Sequence, residues 1–145
     1  MVYTPFWSRN LFTSASVPLW EKWFVKEIRP EYSVDTQELE ELVKNDKIYL
    51  VDVREPEEVA AGRVPAKRYV HVPIGHFYPD MQLSKEEFFK KYGKEKPQKD
   101  ADDIVFLCRG GIRSTFALQL AQHFGYSKSK HYRDGYRVWD ATFTQ

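Results

Sequence analysis

The chain has 145 residues, of which 42% are hydrophobic and 30% charged, and its formal net charge is +1. These values suit one globular domain and give no reason to expect nucleic-acid binding. No apolar run approaches the ~20 residues of a membrane-spanning helix. The single cysteine excludes an internal disulfide and a cysteine-rich zinc site. The histidines show no metal-ligand spacing and are interpreted as surface or packing residues: His71, His76, His123 and His131.

The first thirty residues differ in composition from the rest and are predicted to be an extension of a domain at 31–145. Residues 1–20 contain several hydroxyl residues and one arginine, but no acidic residue. Mitochondrial leader sequences share these properties, and segment 9–14 resembles the arginine-led pattern that precedes many matrix-processing sites. We therefore expect a mitochondrial location. The alternative is a cytoplasmic protein whose aromatic extension packs on the domain or stays disordered.

The sequence after the extension alternates helices with apolar strands. Asp35 and Glu38 have the spacing of a helix-capping box, and Ser84 precedes another helix that Gly93 ends. The predicted elements are a helix after Asp35, a strand at 48–53, a helix at 56–61, a strand at 69–72, a helix at 86–91, a strand at 104–107, a helix at 114–124, a strand at 131–132 and a helix at 136–142. This alternation predicts an α/β fold in which helices cover both faces of a central, mostly parallel sheet.

The only cysteine follows the strand at 104–107, in the segment Cys108-Arg109-Gly110-Gly111-Ile112-Arg113-Ser114. Open α/β sheets bind ligands at the carboxyl ends of their strands, and the two glycines permit a tight loop whose N–H groups converge on an anion. A helix N-terminus and nearby cations favour the thiolate form of cysteine. The segment therefore predicts a nucleophilic cysteine, whereas a lone cysteine without this context is more often an inert core residue.

A second charged segment ends the strand at 48–53 and is predicted to reach the same edge of the sheet. It contains Asp52 and Arg54, followed by several glutamates. Taken alone, this segment indicates an ion-paired strand end and an acidic first helical turn, which the helix dipole favours.

Together, the two segments resemble those of the rhodanese family, specifically a single-domain thiosulfate sulfurtransferase. The resemblance covers about residues 33–143 and includes the turn at 62–65 and the closing segment at 134–139; the cysteine loop is its most specific part. The turn departs from the family's Gly-His-Ile-Pro pattern, because Arg63 and Val64 replace the histidine and isoleucine. The resemblance implies a rhodanese-like fold, and the departure leaves the role of the family's histidine open.

The resemblance also implies a covalent route for sulfur. Cys108 would take the outer sulfur of thiosulfate, or of a persulfide donor, and pass it as a persulfide to a thiol acceptor or to cyanide. The implied acceptor is glutathione or a thioredoxin-like dithiol. No metal or organic cofactor is required for this chemistry.

Roles for the neighbouring residues follow from the same resemblance. Substrate binding falls to the loop after the cysteine, in which N–H groups hold the transferred sulfur and two arginine side chains bind the anion: Arg109, Gly110, Gly111, Ile112 and Arg113. Three further residues are implied to support the loop without touching substrate: Asp52, Arg54 and Ser114.

Two other functions remain as alternatives. Cysteine-dependent phosphatases of this fold have five residues between cysteine and arginine, whereas four separate Cys108 from Arg113, and Ser114 stands where that arginine would be. The shorter loop favours sulfur transfer over phosphatase or arsenate reductase chemistry. The second alternative is a non-catalytic rhodanese-like binding module; such modules typically lack the cysteine that this chain retains.

Overall fold

Five short strands form one parallel sheet in the order β1-β5-β4-β2-β3. The computed structural model describes residues 28–144, so nearly all of the predicted leader lies outside the described residues. The strands are β1 (Ser33–Val34), β2 (Tyr49–Asp52), β3 (Tyr69–His71), β4 (Ile104–Leu107) and β5 (Lys130–Tyr132). The strand before Cys108 is therefore central, and the carboxyl ends of all five strands open at one edge of the sheet.

Helices cover both faces of the sheet, as the sequence predicts. They are α1 (Thr36–Lys44), α2 (Pro56–Ala61), α3 (Ile74–Asp80), α4 (Lys85–Tyr92), α5 (Ile112–His123) and α6 (Tyr136–Phe143). One face packs against α3, α4 and α5 through residues such as Phe77, Phe88 and Phe116. The other packs against α1 and α6 through Leu39 and Trp139. Burial on both faces accounts for the continuously apolar sequence of β4 and of β2 up to Asp52.

Local capping signals locate several helix ends correctly. Asp35 Oδ1 accepts a hydrogen bond from the Glu38 N–H at 2.9 Å and begins α1. Ser84 Oγ accepts one from the Glu87 N–H at 3.1 Å and begins α4, which ends at Gly93 in the left-handed conformation. These side chains satisfy N–H groups that have no partner within the helix.

Other parts of the fold differ from the prediction. The sequence analysis misses α3, since Pro79 lies inside it, and misses β1, which has two residues and is held by pairing with β5. The predicted start of α5 at Ser114 is wrong, because the helix begins at Ile112 with Gly111 as its N-cap. Ser114 does not cap the helix: it is fully buried, and its hydroxyl lies 3.1 Å from the Gly111 carbonyl.

A buried ion pair ties the end of β2 to the surrounding helices. Arg54 Nε and Nη2 donate to the two carboxylate oxygens of Asp52 at 2.9 and 2.8 Å, and the two side chains are only 2% and 0% exposed. Tyr69 donates to the same carboxylate at 2.7 Å. Arg54 also donates to the Gly62 carbonyl at 2.9 Å and stacks 4.1 Å from the ring centre of Tyr136. The pair therefore joins β2, β3 and the start of α6.

Replacing Asp52 by Ala is expected to lower the free energy of unfolding by about 3–5 kcal/mol, because it leaves the Arg54 charge buried without a partner. Urea unfolding measures this loss. The matched control is Glu95→Gln, which removes the exposed partner of Arg68 and is expected to cost less than ~1 kcal/mol. Equal small losses in both variants would contradict a structural role for the buried pair.

Candidate active site

The Cys108 sulfur lies at the floor of a depression where β4 passes into α5. The residue is 1% exposed, and its sulfur accepts a hydrogen bond from the Gly111 N–H at 3.0 Å. Ser114 Oγ lies 3.5 Å from the same sulfur. The thiol is thus held at the N-terminus of a twelve-residue helix, whose dipole favours a negative charge there.

Two glycines allow the cysteine loop to fold against the start of α6. At Gly111, where φ is +98°, a Cβ would lie 2.5 Å from the Arg133 carbonyl oxygen; at Gly135, where φ is +82°, it would collide with the Arg109 carbonyl. The backbone N–H of Tyr136 donates to the Cys108 carbonyl at 2.8 Å. Larger residues at either glycine would push the loop away from α6.

Arg113 is held in place by Glu58 from the first turn of α2. Its Nη1 and Nη2 donate to the two carboxylate oxygens at 2.7 and 3.0 Å. This hydrogen bonding is the main cause that lowers the pKa of Glu58 to about 2, and it raises the pKa of Arg113, to which the nearby Cys108 also contributes. Arg113, the predicted anion-binding residue, therefore has two of its N–H donors already bonded to Glu58 before any anion binds.

Two other arginines at this edge have no ion-pair partner among residues 28–144. Arg109 and Arg137 are exposed, and both line the depression of about 310 Å³ above the sulfur. Both also line a neighbouring depression of about 200 Å³, which Tyr136 and Asp140 border. The thiol consequently lies beneath two unpaired cations and beside a second cleft that shares them.

The structure brings the predicted loop residues together at one depression and places the predicted supporting pair beside it. Gly110, Ile112 and the loop arginines line the depression with Cys108. Asp52 is fully buried in its pairing with Arg54. Arg54 donates to the Glu58 carbonyl at 3.3 Å and lines the neighbouring cleft with Arg109. The roles of all these residues toward substrate stay predictions.

Three residues near the sulfur lie outside the predicted set. Glu58 belongs to the charged segment that the sequence predicts to reach the same edge as the cysteine loop, but the sequence analysis assigns it no role of its own. Arg137 has a comparable signal, since it follows Gly135 at that edge. His131 was assigned to surface or packing. It is buried, with Nδ1 3.0 Å from Ser114 Oγ.

His131 is neutral at physiological pH. Burial, with a smaller contribution from the charge of Arg133, lowers its pKa from 6.5 to about 4. Its second ring nitrogen, Nε2, lies 3.4 Å from Ser33 Oγ of β1. The imidazole therefore connects the cysteine loop to the edge strand through two hydroxyl groups.

Neither a metal centre nor a membrane span occurs in the described part of the chain. Within residues 28–144, no three His, Cys, Asp or Glu side chains lie close enough together to hold a metal ion. None of the helices there is both long and apolar enough to cross a membrane.

Known proteins share both the sequence pattern and the fold. Residues 35–142 match the model of the rhodanese-like domain. The chain is 34% identical over 107 residues to a human protein named thiosulfate:glutathione sulfurtransferase, covering 74% of this chain and 91% of that protein. It is 35% identical over 95 residues to the Saccharomyces cerevisiae mitochondrial thiosulfate sulfurtransferase RDL2, covering 66% of this chain and 62% of that protein.

Solved structures agree with these matches. The human single-domain sulfurtransferase TSTD1 superposes with a TM-score of 0.72 at 32% identity, over 77% of this chain and 96% of that one. The structure of RDL2 gives a TM-score of 0.69 at 30% identity, over 81% of this chain and 95% of that one. With a central Cys108 loop on a five-stranded parallel sheet, the chain belongs to the rhodanese-like domain family.

Proposed function

We propose that the protein is a thiosulfate sulfurtransferase that carries sulfur as a persulfide on Cys108. The observation that carries this proposal is the 3.0 Å hydrogen bond from the Gly111 N–H to the Cys108 sulfur, at the floor of a depression lined by three arginines. A hydrogen-bond donor, a helix N-terminus and positive charge all favour the reactive thiolate. The named sulfurtransferase relatives support the same activity.

In the first half-reaction, the thiolate attacks the outer sulfur of thiosulfate. A bond forms between the Cys108 sulfur and that outer sulfur, the bond within thiosulfate breaks, and sulfite leaves with its electron pair. Arg109 and Arg137, which have no ion-pair partner in the described part of the chain, provide charge-assisted hydrogen bonds for the incoming dianion and the departing sulfite. Arg113 adds positive charge from a position that Glu58 fixes.

In the second half-reaction, a thiol acceptor removes the outer sulfur. Its sulfur bonds to the outer sulfur, the Cys108–sulfur bond breaks, and the electron pair returns to Cys108. The acceptor's proton ends on the transferred sulfur. This cycle requires no oxidant or reductant beyond the donor and the acceptor.

Glutathione is the acceptor that the surrounding charges favour. It carries two carboxylates and one ammonium group, and the cleft beside Cys108 combines the cations of Arg109 and Arg137 with the carboxylate of Asp140. Arg54 and Glu58 also line this cleft, but each already has an ion-pair partner. The human relative named thiosulfate:glutathione sulfurtransferase supports this choice. A thioredoxin-like dithiol is the alternative acceptor, and it would depend less on individual arginines of this cleft.

Phosphatase chemistry has less support from this site. The position that a phosphatase's arginine would occupy holds Ser114, which is fully buried and lies 3.0 Å from His131. An arginine at that position would have no room to reach an incoming phosphate.

The location we propose is the mitochondrion, with residues 1–30 acting as a leader to a domain at 31–145. The support is the acid-poor composition of residues 1–20 and two relatives whose names include a mitochondrial location, RDL2 and a Schizosaccharomyces pombe protein named putative thiosulfate sulfurtransferase, mitochondrial. The described domain itself carries no part of this argument.

Turnover is expected to follow ping-pong kinetics and to require Cys108. Initial rates measured at varied thiosulfate and several fixed glutathione concentrations should give parallel double-reciprocal lines, because the first product leaves before the second substrate binds. Cys108→Ser should fold normally and show no turnover. Intersecting lines, or turnover in the serine variant, would refute a covalent intermediate on this residue.

Arg137→Ala is expected to raise the KM for glutathione about tenfold, which corresponds to the loss of one charge-assisted hydrogen bond. With dithiothreitol, an acceptor that has no carboxylate, the KM should change little. The control is Lys90→Ala, which removes an exposed charge on α4, away from the cleft. Equal effects on the two acceptors would show that Arg137 does not recognise a carboxylate.

Fusion of residues 1–30 to a fluorescent reporter is expected to direct the reporter into mitochondria. Replacing Arg9 by Glu in the fusion should reduce import, since leader sequences depend on positive charge and on few acids. A reporter that stays in the cytoplasm would argue for the alternative, an extension that packs on the domain.

A further inference from the structure

A chain of buried polar contacts leads from the Cys108 sulfur into the sheet. Ser114 Oγ lies 3.5 Å from the sulfur, and His131 Nδ1 lies 3.0 Å from Ser114 Oγ. On the far side of the ring, Nε2 lies 3.4 Å from Ser33 Oγ. Cys108, Ser114 and His131 are each at most 3% exposed. Because bulk water hardly reaches them, the proton of each group goes to one of these protein partners.

As a thiol, Cys108 donates to Ser114 Oγ. Once Cys108 is a thiolate, the single proton of the Ser114 hydroxyl has three acceptors within reach: the Cys108 sulfur, His131 Nδ1 and the Gly111 carbonyl oxygen. That carbonyl already accepts two hydrogen bonds from Thr115, from its N–H at 3.1 Å and from its hydroxyl at 2.6 Å. A carbonyl oxygen has two lone pairs, so the Ser114 hydroxyl, which lies 3.1 Å from it, would be its third donor and gains least from that bond. The hydroxyl proton then goes either to the sulfur or to the imidazole.

The tautomer of His131 decides between these two acceptors. A neutral imidazole carries one N–H. With the proton on Nδ1, the ring donates to Ser114 and accepts from Ser33 at Nε2, which leaves the Ser114 proton for the sulfur. With the proton on Nε2, Ser114 donates to Nδ1 and the sulfur loses a donor. Since a buried anion is costly without hydrogen bonds, the thiolate favours the first tautomer.

We propose that His131 is a positioning residue for sulfur transfer, whose Nδ1–H holds the Ser114 hydroxyl as a second donor to the Cys108 thiolate. This inference rests on the proposed function and adds to the donor already supplied by Gly111. The thiolate attacks the sulfur donor, and it leaves when the acceptor removes the outer sulfur, so the second donor serves both half-reactions. The other charged groups around the sulfur are Arg109, Arg113 and Arg137, with Glu58 paired to Arg113, and the charge of Arg133 acts on His131.

Alkylation of Cys108 by iodoacetamide, followed by intact mass over a pH series, tests this role in the full chain. His131→Leu removes the ring donor, His131→Asn keeps an N–H close to the position of Nδ1, and Ser114→Ala removes the hydroxyl. The alkylation midpoint is expected to rise by about one pH unit in the Leu and Ala variants, which slows alkylation about tenfold at pH values below the wild-type midpoint. The Asn variant should stay near the wild type.

The double variant Ser114→Ala/His131→Leu should have the same midpoint as Ser114→Ala alone, because both changes remove the same hydrogen bond to the sulfur. An unchanged midpoint in Ser114→Ala, or an additive shift in the double variant, overturns the proposal. If His131→Leu fails to fold, the midpoint of Ser114→Ala still shows whether the hydroxyl donates to the sulfur. Because alkylation needs no sulfur donor, midpoint shifts without thiosulfate turnover would refute only the proposed function. Turnover without midpoint shifts would refute only the positioning role.

Discussion

The hydrogen bond from the Gly111 N–H to the Cys108 sulfur fixes the geometry of the sheet edge at which Cys108 lies. The loop must turn back on its first residue within three positions, which the positive φ of Gly111 allows. The same turn begins α5 and aims its N-terminus at the sulfur. Gly135 then lets α6 pack against the loop backbone. The thiol, the N-terminus of α5 and the arginines lie at the same edge of the sheet because one short loop carries or contacts all of them.

Ion pairing divides the arginines at this edge into two kinds. Arg54 and Arg113 each have a carboxylate partner. Their main effect is therefore to fix the positions of β2, α2 and the cysteine loop relative to one another. Arg109 and Arg137 have no such partner among the described residues and retain their charge for an anion. An arginine whose N–H donors already bond a carboxylate binds an incoming anion less strongly than an exposed arginine without an ion-pair partner. The sequence analysis does not separate Arg109 from Arg113, assigns Arg54 only a supporting role and assigns Arg137 none.

Local sequence patterns predict the strand, loop and helix that carry Cys108, whereas the contacts between distant residues at the site appear only in the structure. The apolar strand, the glycine loop and the helix that follows it each have a pattern of their own, so the position of Cys108 at the end of a strand could be predicted from sequence. The helix α3 could not, because its proline and glycine are outweighed by the burial of Phe77. The pairing of Glu58 with Arg113 and the contact of His131 with Ser114 join residues 55 and 17 positions apart. No local pattern encodes such contacts.

The most direct test of sulfur transfer through Cys108 is the intact mass of the purified protein before and after thiosulfate is added. A covalent carrier predicts a gain of about 32 Da, the mass of one sulfur atom, that cyanide or a thiol reverses. The Cys108→Ser variant should gain nothing under the same conditions. A reduced wild-type protein that gains no mass, or a serine variant that gains as much, would contradict a persulfide on this cysteine.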